Sequence, residues 1–204
     1  MLGSLNLTTV VIVLICLVVS MTVHEFMHAY VGFKLGDTTA MEHGRVSFNP
    51  LHHIDPFMTL VLPAITLLVL HAPFLAAKPV PFDPRYVKYG EYGAALLALA
   101  GPASNLVLAL LGAALLRSVD LGVLLGQAVF IFVELNVWLA IFNLIPIPPL
   151  DGSRVLYAFA PEVVQDFMQQ IEPYGFFIII ILVLWGGGSN LLGNLSQSLL
   201  NLLV

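Results

Sequence analysis

Apolar residues run almost without interruption through most of the chain, so the few polar residues inside those runs stand out. The first run, about Leu5 to Phe33, is long enough at about 1.5 Å per helical residue to cross a ~30 Å hydrocarbon core. Similar runs follow at about Tyr92 to Leu116 and Leu124 to Ile147, and a core of three transmembrane helices is therefore expected. Phe57 to Ala77 is as apolar but is interrupted by Pro63, His71 and Pro73. Lys34 and Arg45 precede it, and Lys78, Arg85 and Lys88 follow it. Because short cytoplasmic loops are the Lys/Arg-rich ones, both of its ends are expected on the cytoplasmic side. A re-entrant segment that dips in and returns would satisfy this, provided its broken backbone is buried in protein.

Between the spans, Gly36 to Pro56 is polar and turn-rich, and Gly44-Arg45-Val46-Ser47-Phe48 alternates like a short strand. Such a strand could pair with an extended peptide by edge addition. Ser153 to Glu172 carries Pro161 and several polar residues and reads as one or two short interfacial helices. Tyr174 to Trp185 is too short to span alone, Gly186 to Asn190 is expected to break it, and Leu191 to Val204 continues it. One interrupted span, or a span with an interfacial tail, would both fit. The expected fold is an all-α polytopic membrane protein with three transmembrane helices, a re-entrant segment, a short strand-bearing loop and a C-terminal apolar helix. No linker or internal repeat divides it, so residues 1–204 read as a single membrane-embedded domain.

Composition agrees with an integral membrane protein: 59% of the 204 residues are hydrophobic, only 9% are charged, and the mean hydropathy is +0.98. Soluble domains carry about 25% charged residues. The formal charge of −5 is spread thinly, with no basic block of the kind nucleic-acid binding needs. Cys16 is the only cysteine, which excludes an intramolecular disulfide and a cysteine metal site. Met1 to Asn6 contains no Lys or Arg, so the first run is expected to be a retained anchor and not a cleaved signal.

Candidate chemistry begins with His24-Glu25-Phe26-Met27-His28, in the last third of the first span. Residues four apart share one helical face, so both imidazoles can address one metal ion. Glu25 is displaced around the helix and can take a proton from a water activated there without being a ligand. Burying two histidines and a carboxylate in hydrocarbon costs several kcal/mol unless they are paired or bound to a cation. The alternative is that they act as polar glue between helices.

Zinc hydrolases use three protein ligands, and two imidazoles with one carboxylate is a common set. Asp151, placed by Pro146-Ile147-Pro148-Pro149 before it and Gly152 after it at the end of the third span, is the natural third ligand. His24, His28 and Asp151 share one depth only if their spans run in the same direction. That requires an odd number of crossings between them, and Tyr92 to Leu116 supplies one. His43, His52, His53 and Asp55 in the polar loop are possible accessory contacts, although loop histidines beside a membrane are usually solvated.

The intramembrane His24-Glu25-x-x-His28, the Ala100-Gly101-Pro102-x-x-Asn105 stretch and Asn143-Leu-Ile-Pro-Ile-Pro-Pro-Leu-Asp151-Gly152 together resemble the site-2 protease family, zinc metalloproteases that cut within the membrane. The resemblance covers about Val23 to Arg154, including Leu35-Gly36-Asp37 and Asn49-Pro50-x-x-His53-Ile54-Asp55-Pro56. It is closest to compact bacterial and archaeal members, with no room for a PDZ or nucleotide-sensing domain. It implies one Zn2+ per chain on His24, His28 and Asp151, Glu25 as catalytic base, and Asn143 steadying substrate or oxyanion. It also implies a transmembrane-helix protein as substrate, the lipid bilayer as setting, and a prokaryotic plasma membrane with the site towards the cytoplasm. A non-proteolytic zinc or iron membrane enzyme would need further histidine pairs on neighbouring spans. A metal-binding transporter or scaffold would need more ionisable residues along a path than Glu134 and Asn136, and it would leave Glu25 without a task.

Overall fold

The computed structural model describes residues 6–53, 80–184 and 187–204, which fold into helices and turns with no strand among them. The helices are α1 (Leu7–Lys34), α2 (Thr39–Glu42), α3 (Glu91–Ser118), α4 (Gly122–Asn143), α5 (Asp151–Phe159), α6 (Glu162–Ile171), α7 (Gly175–Leu184) and α8 (Gly187–Leu203). Among the described residues, α1, α3 and α4 are long and apolar enough to cross a membrane. Leu7, Val11, Leu14, Ile15 and Val18 on α1 are exposed, as suits a lipid-facing surface.

Polar contacts between the spans fix their directions. Going along α1, Cys16 Sγ faces the Ala128 carbonyl, Ser20 Oγ meets Asn136, and His24 meets Asp151, so α1 and α4 run parallel. Against α3 the order reverses, with His24 at Asn105 and His28 at Leu97. Helix α3 thus runs antiparallel to both and packs against α1, α4, α5 and α8. Small buried residues, Ala94, Ala98, Gly101, Ala109 and Gly112, let the other helices approach it closely.

The chain leaves α1 and enters α3 at the same end of the bundle. Lys88 N donates to Leu35 O at 2.8 Å, and Asp83 N donates to Asp37 Oδ2 at 2.9 Å. Asp37, fully buried, also accepts from Thr39 N at 2.9 Å and so staples the two loop ends together. Beside it, hydrogen bonds from Arg85 hold the half-buried Asp83 carboxyl down to about 2. The expected re-entrant segment, Phe57 to Ala77, lies outside the described residues.

Two local expectations are corrected. Gly44 to Phe48 forms turns instead of a strand. Its backbone donors are satisfied locally, Gly44 N by Met41 O, Arg45 N by Ala40 O and Ser47 N by Arg45 O, which leaves no ladder for an edge. Helix α4 stops at Asn143 and not at Ile147, because Pro146 lacks an N–H and disfavours helical geometry in the residue before it. Gly187 to Asn190 form the first turn of α8, a helix separate from α7, and the residues between the two lie outside the described residues. Pro161 does divide the interfacial region, into α5 and α6. Helix α8 returns to the bundle, where Leu200 joins Ala109, Ala113, Val133 and Val137 in an apolar core.

Candidate metal centre

His24 and His28 sit one turn apart on the face of α1 turned towards α3, and both are buried. Asp151 reaches them from the first turn of α5, where the positive end of the helix dipole favours a carboxylate. Gly152 allows this approach: a Cβ there would collide with the backbone of Leu144, and it would stand 2.7 Å from Ile145 O. Opposite, Gly101 on α3 forms the wall behind both imidazoles. A Cβ at Gly101 would run into His28 Nε2 and come within 2.6 Å of His24 Cε1. The missing side chain at Gly101 leaves a notch that the two histidine rings fill.

The outward ring nitrogens are both committed. His24 Nδ1 donates to Asn105 Oδ1 at 2.6 Å, and His28 Nδ1 donates to Leu97 O at 2.8 Å. Since those partners are oxygens that only accept, the neutral rings carry their protons on Nδ1 and turn bare Nε2 lone pairs inward. The two Nε2 atoms are 3.0 Å apart, and Asp151 Oδ2 lies 3.3 Å from each. Asp151 Oδ2 is buried without a hydrogen-bond donor.

Converging lone pairs repel one another unless a cation stands between them. In a tetrahedral zinc site with ligands about 2.0–2.1 Å from the metal, ligand atoms are about 3.3–3.4 Å from each other. The observed spacing therefore fits Zn2+ held by nitrogen and oxygen donors. His24, His28 and Asp151 are the group that could hold a metal ion among the described residues.

Other candidates lie apart from this trio. Glu25 is buried next to His24, and no hydrogen bond or ion pair of its carboxylate is present among the described residues. Asn143 Nδ2 donates to Leu139 O at 2.9 Å, back onto its own helix. His43 is exposed and faces Thr39 O, while His53 is buried and its Nε2 donates to Ser47 O at 2.8 Å. Asp55 lies outside the described residues.

Sequence reasoning met Asn105 in the stretch that carries the family resemblance and Asn136 as a residue along a possible transport path, and it passed over Ser20. The structure joins them: Asn105 Nδ2 donates to Asn136 Oδ1 at 2.9 Å, and Asn136 Nδ2 donates to Ser20 Oγ and to Phe132 O, each at 2.8 Å. A usable signal was present, because a buried polar side chain in a transmembrane helix needs a partner, either a backbone carbonyl or a group on another helix.

Comparison with known proteins agrees with this chemistry. The sequence model of Peptidase family M50 matches residues 117–186. Several relatives bear the name "Putative zinc metalloprotease". YwhC of Bacillus subtilis is 40% identical over 187 residues, 87% of this chain and 82% of its own length. Rip2 of Mycolicibacterium smegmatis is 28% identical over 81% of this chain and 63% of its own, and MJ0611 of Methanocaldococcus jannaschii is 35% identical over 65% and 62%. No solved structure matches the chain. With membrane-length helices, a donor set spaced for zinc and a close zinc-metalloprotease relative along most of its length, the chain belongs to peptidase family M50, the site-2 proteases, whose metal is Zn2+.

Proposed function

We propose that residues 1–204 act as one membrane-embedded metalloendopeptidase domain that hydrolyses peptide bonds of transmembrane or membrane-associated proteins within the bilayer. The observation that carries this reading is depth. His24 and His28 lie inside a helix of membrane-crossing length, with Asp151 Oδ2 3.3 Å from both and Glu25 beside them. His24, His28 and Asp151 are the zinc ligands in this reading. When bound, zinc supplies Lewis-acid polarisation of a carbonyl and brings the pKa of water towards about 7.

Glu25 is the base. It takes a proton from the attacking water as the new C–O bond forms, then returns a proton to the amine as the C–N bond breaks. Asn143 Nδ2 carries two N–H groups, so one can stay on the Leu139 carbonyl while the other is offered to the oxyanion. The substrate must be locally unwound at the cut, because helical carbonyls are held in hydrogen bonds.

Lys34, Arg45, Arg85 and Lys88 cluster where α1 ends and α3 begins, while Arg117 marks the far end of α3, so the charge rule supports a cytoplasmic-side site. A prokaryotic plasma membrane is the expected setting.

The test is zinc content and cleavage of a panel of single-span substrates by detergent-purified protein. Glu25→Gln should keep its zinc and lose activity by roughly 10²–10⁴-fold. Asp151→Ala should lose the metal. Cleavage by Glu25→Gln at the native rate would overturn the hydrolytic reading, and undiminished zinc in Asp151→Ala would move the third ligand elsewhere.

A further inference from the structure

The orientation of His24 is set by a chain of hydrogen bonds whose far end lies on another span. The Phe132 carbonyl can only accept, so the Asn136 group 2.8 Å from it must be the amide nitrogen. That turns Asn136 Oδ1 towards Asn105, and an oxygen there requires the Asn105 nitrogen to face it at 2.9 Å. Asn105 Oδ1 is then left facing His24, which must donate from Nδ1 across 2.6 Å and keep Nε2 bare. Ser20 steadies the same orientation from α1 itself, its Oγ accepting from Asn136 Nδ2 at 2.8 Å and its carbonyl from Asn105 Nδ2 across a longer 3.4 Å. Ser20, Asn105 and Asn136 are all buried, so no water competes for these groups.

Resting on His24 as a metal ligand, we propose that Asn136 is a positioning residue: it fixes the direction of the Asn105 amide and thereby the tautomer and ring angle of His24. A primary amide has unlike ends, and if the Asn105 amide turned over it would present N–H groups to Nδ1. His24 would then have to carry its proton on Nε2, where it blocks the metal. Partners behind metal-bound histidines commonly matter by 10–100-fold in metal affinity. Here the control sits one residue further back, on α4, the span that leads to Asp151. The assignment couples the α1–α4 contact to the metal site without Asn136 touching the metal.

A carboxylate has like ends, and this gives a test that separates positioning from packing. Zinc affinity would be measured by chelator competition on the detergent-solubilised full chain, with the visible spectrum of the cobalt(II)-loaded protein as a second readout. Asn136→Val should weaken zinc by roughly tenfold when residue 105 is asparagine, and it should shift the cobalt bands. In an Asn105→Asp background either carboxylate oxygen can accept from His24, and Asn136→Val only removes an oxygen that would face that carboxylate, so adding it should not weaken zinc further. Equal weakening in both backgrounds would show a packing role and overturn the proposal, as would no weakening with Asn105 intact. If Asn136→Val does not fold, Asn136→Ala carries the same comparison with less bulk. Failure of the unsubstituted chain to bind zinc would instead overturn the ligand assignment.

Discussion

The two halves of the helical bundle are built from the same three spans but held by opposite means. Towards the cytoplasmic end of the proposed topology, α1, α3 and α4 are joined by polar groups: Ser20, His24, His28, Asn105 and Asn136 are all buried. Towards the other end, and reaching back as far as Val137 beside Asn136, the contact is among Ala109, Ala113, Val133, Val137 and Leu200. Lipid is as apolar as these side chains, so the apolar half gains little from burial itself and depends on close packing. Gly112 shows how close, since a Cβ there would stand 2.7 Å from Val133 Cγ2. The polar half has directional bonds and needs the helices in one register to make them. Apolar packing therefore sets the register, and the polar groups use it.

The sharpest way to break this contrast is to fill each half's notch with the same methyl group. Gly101→Ala would push into both imidazoles, and zinc content should fall to near zero while the chain still folds. Gly112→Ala should leave zinc affinity within a few-fold but lower stability by about 1–3 kcal/mol, the usual cost of overpacking, read as earlier thermal unfolding in detergent. If Gly112→Ala abolished zinc binding as Gly101→Ala does, the halves would not be separable.

The contrast also explains what could be read in advance. The spans were legible because a run of apolar residues of sufficient length has few other fates in a chain this poor in charge. His24, His28 and Asp151 were legible because helical spacing and the parity of crossings are geometric constraints that act without knowledge of side-chain contacts. The structure brings that trio together as the parity argument required. The strand expected at Gly44 to Phe48 failed because alternation predicts a strand only where a partner exists, and here local turns satisfy the backbone. The Asn105 link to His24 was not legible: its 2.6 Å contact bridges 81 positions, and nothing in either residue's neighbourhood names the other.

A finer test lies between neighbouring residues of α3 that are both polar and buried. Ser104 Oγ donates to Gly101 O at 2.7 Å, within its own helix, whereas Asn105 reaches across to His24 and Asn136. Ser104→Ala removes a donor from a carbonyl that can still accept from the Asn105 backbone amide one turn on, so no buried group is orphaned. The expected cost is the net value of one hydrogen bond, about 0.5–1.5 kcal/mol, with zinc affinity unchanged within a few-fold. Asn105→Leu leaves the His24 Nδ1 proton without an acceptor and should weaken zinc by roughly 10–100-fold. The same chelator competition checks both. Equal losses of zinc would mean that any disturbance of α3 reaches the metal, and burial, not direction, would then be what the polar half supplies.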